Sequence, residues 1–328
     1  MIHTMLCSEG QELKWDLRQR DIGRVLADED NILWLDLEDP TPEELGLLAG
    51  EFKFHPLALE DAQKHQRPKA EQYDDFNFVV FYDIDYDQAS NLIDEHQLSI
   101  FFGRNYLVTV HHEPIEEIDE VAGRWQHNVD QIGRGVGVLV YSLLDTIVDH
   151  YFAVVDGIGD RIEEMETRVF TQADREGLVD IFTLRRELLE LRRTISPERD
   201  VMAMLARRDL PVVGEAVTVY FQDVYDHVLR VTEAIDTYRE LLSDVLNSYL
   251  SVNANTMAMT SNNLNQVMRV LTSVSIILMS VTLIASIYGM NFDNMPELHT
   301  HYGYFVALFF MLVLGLSLAV YFKRRNWL

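Results

Sequence analysis

The chain has one cysteine, Cys7, among 328 residues. A lone thiol closes no intrachain disulfide and builds no thiolate metal cluster, so the bulk of the chain is expected in a reducing compartment. Lysine is nearly missing: only Lys14, Lys53, Lys64, Lys69 and Lys323 occur, against 53 acidic residues and a net charge of −26. That balance excludes nucleic acid as a partner, because phosphate backbones attract basic surfaces. It favours cations instead. The first residues, MIHTMLCSEGQELKW, lack a basic stretch followed by an apolar run, so no signal peptide is expected. Nucleophile-base arrangements, phosphate-binding loops and dinucleotide fingerprints are also missing, which argues against an enzyme.

Charge is scarcest at the C-terminal end. Residues 270–328 hold Asp293, Glu297, Lys323, Arg324 and Arg325 and no other charged side chain. Two uncharged runs fill the space, VLTSVSIILMSVTLIASIYG at 270–289 and YGYFVALFFMLVLGLSLAVYF at 302–322. A helix of about 20 apolar residues crosses the roughly 30 Å hydrocarbon core, and soluble core helices rarely stay uncharged for so long. Both runs therefore read as transmembrane helices. Arg269 precedes the first and Lys323–Arg325 closes the second, while the intervening loop 290–301 has no Lys or Arg. The positive-inside rule then puts the loop outside and both termini in the cytoplasm of a cell membrane. Tyr288, Tyr302, Tyr304, Tyr321 and Trp327 flank the spans as interface anchors would.

Residues 1–135 read as a cytoplasmic α/β domain. Ile32–Leu37, Phe78–Tyr86, Gln97–Phe102 and Tyr106–His111 are short, apolar and rich in β-formers, so strands are expected there. Thr41 opens a helix, with Pro in the first turn and acids behind it, and a second helix follows Pro56. Residues 136–269 read as a cytoplasmic helical region. Two long helices are expected at Val138–Arg168 and Asp174–Arg207, with no Gly-Pro pair inside either. A stalk helix follows from near Glu215. No helix breaker occurs between Gly214 and Gly289, so about 75 residues at 1.5 Å each predict a rod of roughly 110 Å, running straight into the first span. A rod that long is expected to pair with copies of itself.

The first span is not uniformly apolar. Asn265, Met268, Thr272, Ser275, Met279, Thr282 and Ser286 recur at spacings of three and four, which keeps them on one helix face. Small polar groups and thioethers should not face lipid. Two readings compete: the stripe packs against a partner helix, or copies of it line a water-filled path. In the second reading Met268, Leu271 and Met279 form apolar girdles that gate by dewetting. One subunit with two spans is too little to enclose a pore, so that reading needs an oligomer.

The first span ends in Tyr288-Gly289-Met290-Asn291, and Met295-Pro296-Glu297-Leu298 follows in the loop. With HPLALED at 55–61, QRPK at 66–69, YSLLDTIVDHYF at 141–152, YFQDVYDH at 220–227, NQVMRVLT at 265–272 and the tail KRRNWL, nearly the whole chain resembles the CorA family of magnesium and cobalt channels. The resemblance implies an α+β membrane protein assembled as a funnel-shaped homopentamer. Its five first spans (270–289) line the pore, five second spans (302–322) form an outer ring, and a basic cytoplasmic tail (323–328) ends each chain. It implies a selectivity filter at Gly289, Met290 and Asn291, with the five Asn291 amides in a ring at the mouth. Glu297, with Asp293 as a further candidate, would add an outer acidic ring that concentrates cations. It also implies feedback, with Mg2+ bound between cytoplasmic domains holding the pore closed. The matching metal-binding carboxylates are Glu60, Asp61, Asp145 and Asp223. Mg2+ is then both the transported and the regulatory ion.

One departure stands out. Residues 252–264, VNANTMAMTSNNL, are longer than the common family pattern by about two helical turns, which puts Met257, Met259 and Thr260 at the pore neck. His111-His112 and the His299/His301 pair lack a matching ligand set and read as solvated, the second pair being a candidate modulator of Zn2+ or Co2+ entry. The alternatives are a Zn2+ transporter of the related ZntB type, Co2+ or Ni2+ as the main ion, and a membrane-anchored divalent-cation sensor that conducts nothing.

Overall fold

In the computed structural model the described residues are 2–8, 14–15, 17–87, 92–127, 135–171, 174–207, 215–290, 295 and 300–328. They divide into two compact units, Met1–Ser248 and Tyr249–Leu328. The long helices up to Ser248 thus share a unit with the sheet.

The first unit is built on a mixed sheet of β1 (Ile2–Ser8), β2 (Lys14–Trp15), β3 (Asn31–Glu38), β4 (Lys69–Gln72), β5 (Asn77–Asp87), β6 (Leu92–Phe102) and β7 (Tyr106–His111), in the order β2-β1-β3-β7-β6-β5-β4. Only β3 and β7 run parallel, with Leu33 opposite Tyr106 and Glu38 opposite His111. The four expected strands are there, inside β3, β5, β6 and β7. β1, β2, β4 and the first half of β6 were not expected. β4 reads KAEQ and β6 opens LIDEH, so neither offers the apolar alternation that marks a strand. Their pairing partner β5 supplies what their own residues do not.

Alternation along the strands sorts side chains to two covered faces. Leu33, Leu35, Leu37, Phe78, Val80 and Phe101 join a core with α2 (Pro42–Glu51), α3 (Pro56–Ala62) and the short α1 (Ile22–Leu26). α2 starts where expected because Thr41 and Glu44 form a capping box: Glu44 N–H donates to Thr41 Oγ1 at 3.3 Å, and Thr41 N–H donates to Glu44 Oε2 at 2.8 Å. On the other face Trp34 stands 6.1 Å from Trp125 of α4 (Glu116–His127). That face also holds a buried polar chain: Trp34 Nε1 donates to Thr109 Oγ1 at 3.0 Å, Thr109 donates to Asp36 at 2.5 Å, and His111 Nε2 lies 3.2 Å from the same carboxylate. His111 is therefore buried and engaged, not solvated as expected. Burial disfavours its charge, but the Asp36 carboxylate outweighs burial and raises its pKa above the ordinary 6.5.

Three long helices follow: α5 (Val136–Thr171), α6 (Arg175–Leu205) and α7 (Glu215–Tyr288). α6 contains Pro197 without ending there. Next to it, Glu198 is wholly buried and joins three elements. Tyr82 N–H donates to its Oε1 at 2.9 Å, its Oε2 lies 3.0 Å from the Tyr151 hydroxyl, and that hydroxyl also bonds the Tyr82 carbonyl. The ring closes if Glu198 is protonated: the acid donates to Tyr151, which donates to the Tyr82 carbonyl. Burial raises the Glu198 pKa well above the ordinary 4.5, which fits a neutral acid. Folding stability should then fall as pH rises above 4.5 and level off past the native pKa, because only the unfolded chain releases the proton in that window. Glu198→Gln keeps the ring and should flatten that slope in urea unfolding. Glu198→Ala should cost about 2–4 kcal/mol, through the cavity and the unpaired Tyr82 N–H.

Among the described residues three helices are long and apolar enough to span a membrane, Val136–Thr171, the helix ending at Tyr288, and α8 (Gly303–Arg324). The most apolar stretch of the first is 56% buried within the fold, against 6% for the other two. α5 is thus a core helix of the first unit, and the apolar surface of α7 and α8 faces outward. α7 is continuous through 252–264 and runs for 74 residues.

Candidate functional site

Asp145 and Asp149 are one turn apart on α5, and Asp223 and His227 are one turn apart on α7, so each pair lies on one face of its helix. Asp145, Asp149 and His227 converge, with one ligand atom of each within 4.8 Å of the others. His227 Nδ1 is buried without a hydrogen-bond partner, 3.7 Å from Asp149 Oδ1. Burial, then the Asp149 charge, raises the pKa of Asp145; the Tyr141 hydrogen bond and His227 oppose the rise, and Asp223 adds to it. Asp223 is exposed beside this group. Repelling carboxylates beside an imidazole are what a divalent cation neutralises, and oxygen-rich donors of this kind suit Mg2+ as well as softer ions.

Of the four expected metal-binding carboxylates, Asp145 belongs to the converging group and the charge of Asp223 acts on it. Glu60 and Asp61 stay on α3 in ion pairs of their own, Glu60 with Lys64 at 2.5 Å and Asp61 with Lys69 at 2.6 Å. The exposed Glu60–Lys64 pair is worth little in water. Asp149 and His227 were missed although a signal was present: each follows an expected residue by four within a helical motif.

In the second unit, one face of α7 is covered. Ser273 is fully buried, Ile277, Ser280, Val281 and Ile284 are partly buried, and Val281 packs at Gly315 of α8. Asn265, Met268, Leu271, Thr272, Ser275, Met279, Thr282 and Ser286 are all exposed. At about 100° per residue the centre of that stripe falls about 180° from the centre of the covered face. α8 therefore does not pack against the stripe. Ser275 donates its hydroxyl proton to the Leu271 carbonyl at 2.8 Å, which leaves its oxygen lone pairs pointing off the helix.

α7 closes at Gly289, whose N–H donates to the Ala285 carbonyl at 3.0 Å, and Met290 N–H reaches Ile287 at 3.2 Å. A Cβ on Gly289 would come 3.3 Å from the Ala285 oxygen, tighter than most such contacts, so glycine suits this helix end. Asn291, Asp293, Glu297 and His299 lie outside the described residues. Beyond α8, Trp327 stacks on Phe322 at 5.6 Å, and Arg325 sits over the Tyr321 ring at 5.7 Å.

The family described as CorA-like Mg2+ transporter protein matches residues 29–324. The chain belongs to this family. It is 35% identical over 318 residues to the cobalt/magnesium transport protein CorA of Thermotoga maritima, covering 95% of this chain and 89% of that one. The complete structure of the CorA magnesium transporter of Methanocaldococcus jannaschii superposes with a TM-score of 0.74 at 26% identity, covering 99% of this chain and 98% of the other. The ZntB cytoplasmic domain of Vibrio parahaemolyticus matches at 13% identity with a TM-score of 0.61, which shows a shared fold and no more. Between the two transport readings the CorA one is favoured. CorA proteins are membrane transporters, not an enzyme class, and the apolar α7 and α8 fit that setting. The expected architecture of α/β domain, long helix and apolar C-terminal helices matches the full-length CorA structure.

Proposed function

We propose that the chain is one subunit of a homopentameric channel through which hydrated Mg2+, and Co2+ as a second ion, enter the cell. The observation that carries the reading is the two-sided character of α7: α8 covers one face, and the opposite, exposed face carries small hydroxyls, an amide and thioethers. Surface of that kind is too polar for lipid and is left uncovered in the single chain, so five copies around an axis give it both a partner and water. Residues 270–289 are the pore-lining span, 302–322 the outer span, 290–301 the external loop, and 1–135 with 136–269 and 323–328 lie in the cytoplasm. Gly289, Met290 and Asn291 form the filter, Glu297 the outer acidic ring. Met268, Leu271 and Met279 narrow the path.

Flow needs no nucleotide. Two charges moving inward at about −100 mV gain roughly 4–5 kcal/mol. Control comes from the carboxylates of the first unit. Mg2+ bound by the carboxylates of Asp145, Asp149 and Asp223 beside His227, together with Glu60 and Asp61 of a neighbouring copy, draws subunits together and closes the pore. When internal Mg2+ falls, the ions leave, the like charges repel, and the path widens. The same helix, α7, carries Asp223 and His227 near its start and the stripe near its end.

Purified protein in liposomes loaded with a Mg2+-sensitive dye tests the reading. An inward Mg2+ gradient should produce a dye signal that external Co2+ competes for more strongly than Zn2+. No flux from correctly inserted protein would leave a non-conducting sensor, and preferential Zn2+ flux would return the ZntB alternative.

A further inference from the structure

A second group of metal-ligating side chains stands apart from the carboxylates above. β5, β6, α4 and α5 enclose an open crevice of about 540 Å3 whose charged and imidazole lining is Asp83, Asp85, His96, Glu116, Glu117 and His150. No Lys or Arg lines it, so it is built for a cation. Asp83 and His96 are directly opposite in the β5–β6 register, which holds their Cβ atoms about 4.5–5.5 Å apart on one face. Two carboxylate oxygens here, Asp83 Oδ1 and Glu117 Oε2, are buried without a hydrogen-bond partner among the described residues, and both residues are at least nine-tenths buried. An unpaired buried carboxylate is costly to keep. Burial, then the neighbouring Glu117 charge, pushes the Asp83 carboxyl up to about 6.

The histidines explain what the orphaned oxygens are for. His96 Nδ1 pairs with Glu113, and His150 Nδ1 pairs with Glu117 Oε1. Each imidazole is therefore paired with a carboxylate on one nitrogen. Among the described residues neither Nε2 has a hydrogen-bond partner; Glu120 Oε2 lies 3.9 Å from His150 Nε2. A carboxylate on one ring nitrogen and an open second nitrogen is how metal-binding histidines are oriented. Imidazole donors select borderline transition ions over Mg2+, which prefers oxygen and its own water.

We propose that this crevice binds a divalent transition-metal ion of the Zn2+ or Co2+ class through His96 Nε2, His150 Nε2 and Asp83, with Glu113 and Glu117 orienting the two imidazoles. Glu117 Oε2 accepts from water on the ion. The ligand atoms of these three residues do not all lie within 4.8 Å of one another as those of Asp145, Asp149 and His227 do, so binding requires the half-buried His96 and the exposed His150 to turn on their side-chain torsions toward Asp83. The site is independent of the transport reading, since it uses none of the residues assigned to conduction or to Mg2+ control.

The test is Co2+ titration of the full chain in detergent under excess Mg2+, read by the visible d–d absorption of Co2+. The Asp145→Asn/His227→Gln variant should keep one Co2+ per subunit on the crevice. His96→Gln/His150→Gln should lose it, and Glu113→Gln should bind about 10–100-fold more weakly. Co2+ binding unchanged in the His96/His150 variant, abolished in the Asp145/His227 variant, or displaced by Mg2+ would each overturn the site. Anomalous scattering from Co2+-soaked wild-type crystals decides it without any substitution: a peak between Asp83, His96 and His150 supports the site, and its absence refutes it.

Discussion

Asn291→Ala should lower Mg2+ flux into proteoliposomes by at least about 100-fold while the pentamer still forms. Mg2+ holds its waters tightly and prefers six oxygens in an octahedron, so a filter that strips it would be slow. In the proposed filter a ring of amide carbonyls would instead accept hydrogen bonds from the water shell. Alanine offers no acceptor. Each lost bond is worth about 0.5–1.5 kcal/mol, so five lost together amount to about 2.5–7.5 kcal/mol, and a factor of 100 requires roughly 2.8 kcal/mol, near the bottom of that range. Asn291→Asp separates acceptor chemistry from charge. A carboxylate ring would still accept from the shell but bind the ion too firmly to release it, so Mg2+ flux should fall and blockage by divalent ions should sharpen. Wild-type selective flux in Asn291→Ala, measured on pentamers verified by size, would remove the amide collar from the mechanism. Size also checks the assembly: a monomer in mild detergent would contradict the pore itself.

The parts of the fold that were legible in the sequence are those whose pattern is local. Thr41 to Glu44 states a helix start in four residues, and the structure holds that capping box. The unbroken run to Tyr288 reads as one helix because nothing in it stops a helix, and it is one. The central strands β3, β5 and β7 carry enough apolar residues to be recognised alone. β4 and the start of β6 do not, because β4 is the sheet edge and the start of β6 pairs with β5 alone, so each owes its conformation to one neighbour. The site divides the same way. The exposed stripe on α7 follows from spacing, but only the packing of Val281 against α8 shows which face is left uncovered. Asp149 and His227 were within reach of the i,i+4 rule. What the rule lacks is the knowledge that α5 and α7 place those two pairs side by side. Glu198 offered no signal, since a buried protonated acid looks like any other Glu in a charged helix until its partners Tyr82 and Tyr151 arrive from elsewhere in the chain.

Asp145→Asn combined with Asp223→Asn should abolish the response of flux to internal Mg2+. In the wild type, low internal Mg2+ should open the channel and high Mg2+ should close it. In the double variant both the ion and the repulsion it cancels are gone, so the ratio of the two fluxes should fall to about one. The same variant should lose thermal stabilisation by Mg2+. A ligand at 100 times its dissociation constant stabilises the state that binds it by about 2.7 kcal/mol, which a melting curve registers easily. Two further substitutions divide the site between chains. Asp149→Asn/His227→Gln changes only the group that one chain assembles by itself. Asp61→Asn changes an acid that in its own chain is already occupied by Lys69 at 2.6 Å. If the ion bridges neighbours, Asp61 must exchange that lysine for the metal, and Asp61→Asn should weaken Mg2+ control although it lies on a different element from Asp145. Full Mg2+ sensitivity in Asp61→Asn would confine the ion to one chain. A site within one chain has no means of pulling subunits together, and closure would then need another cause.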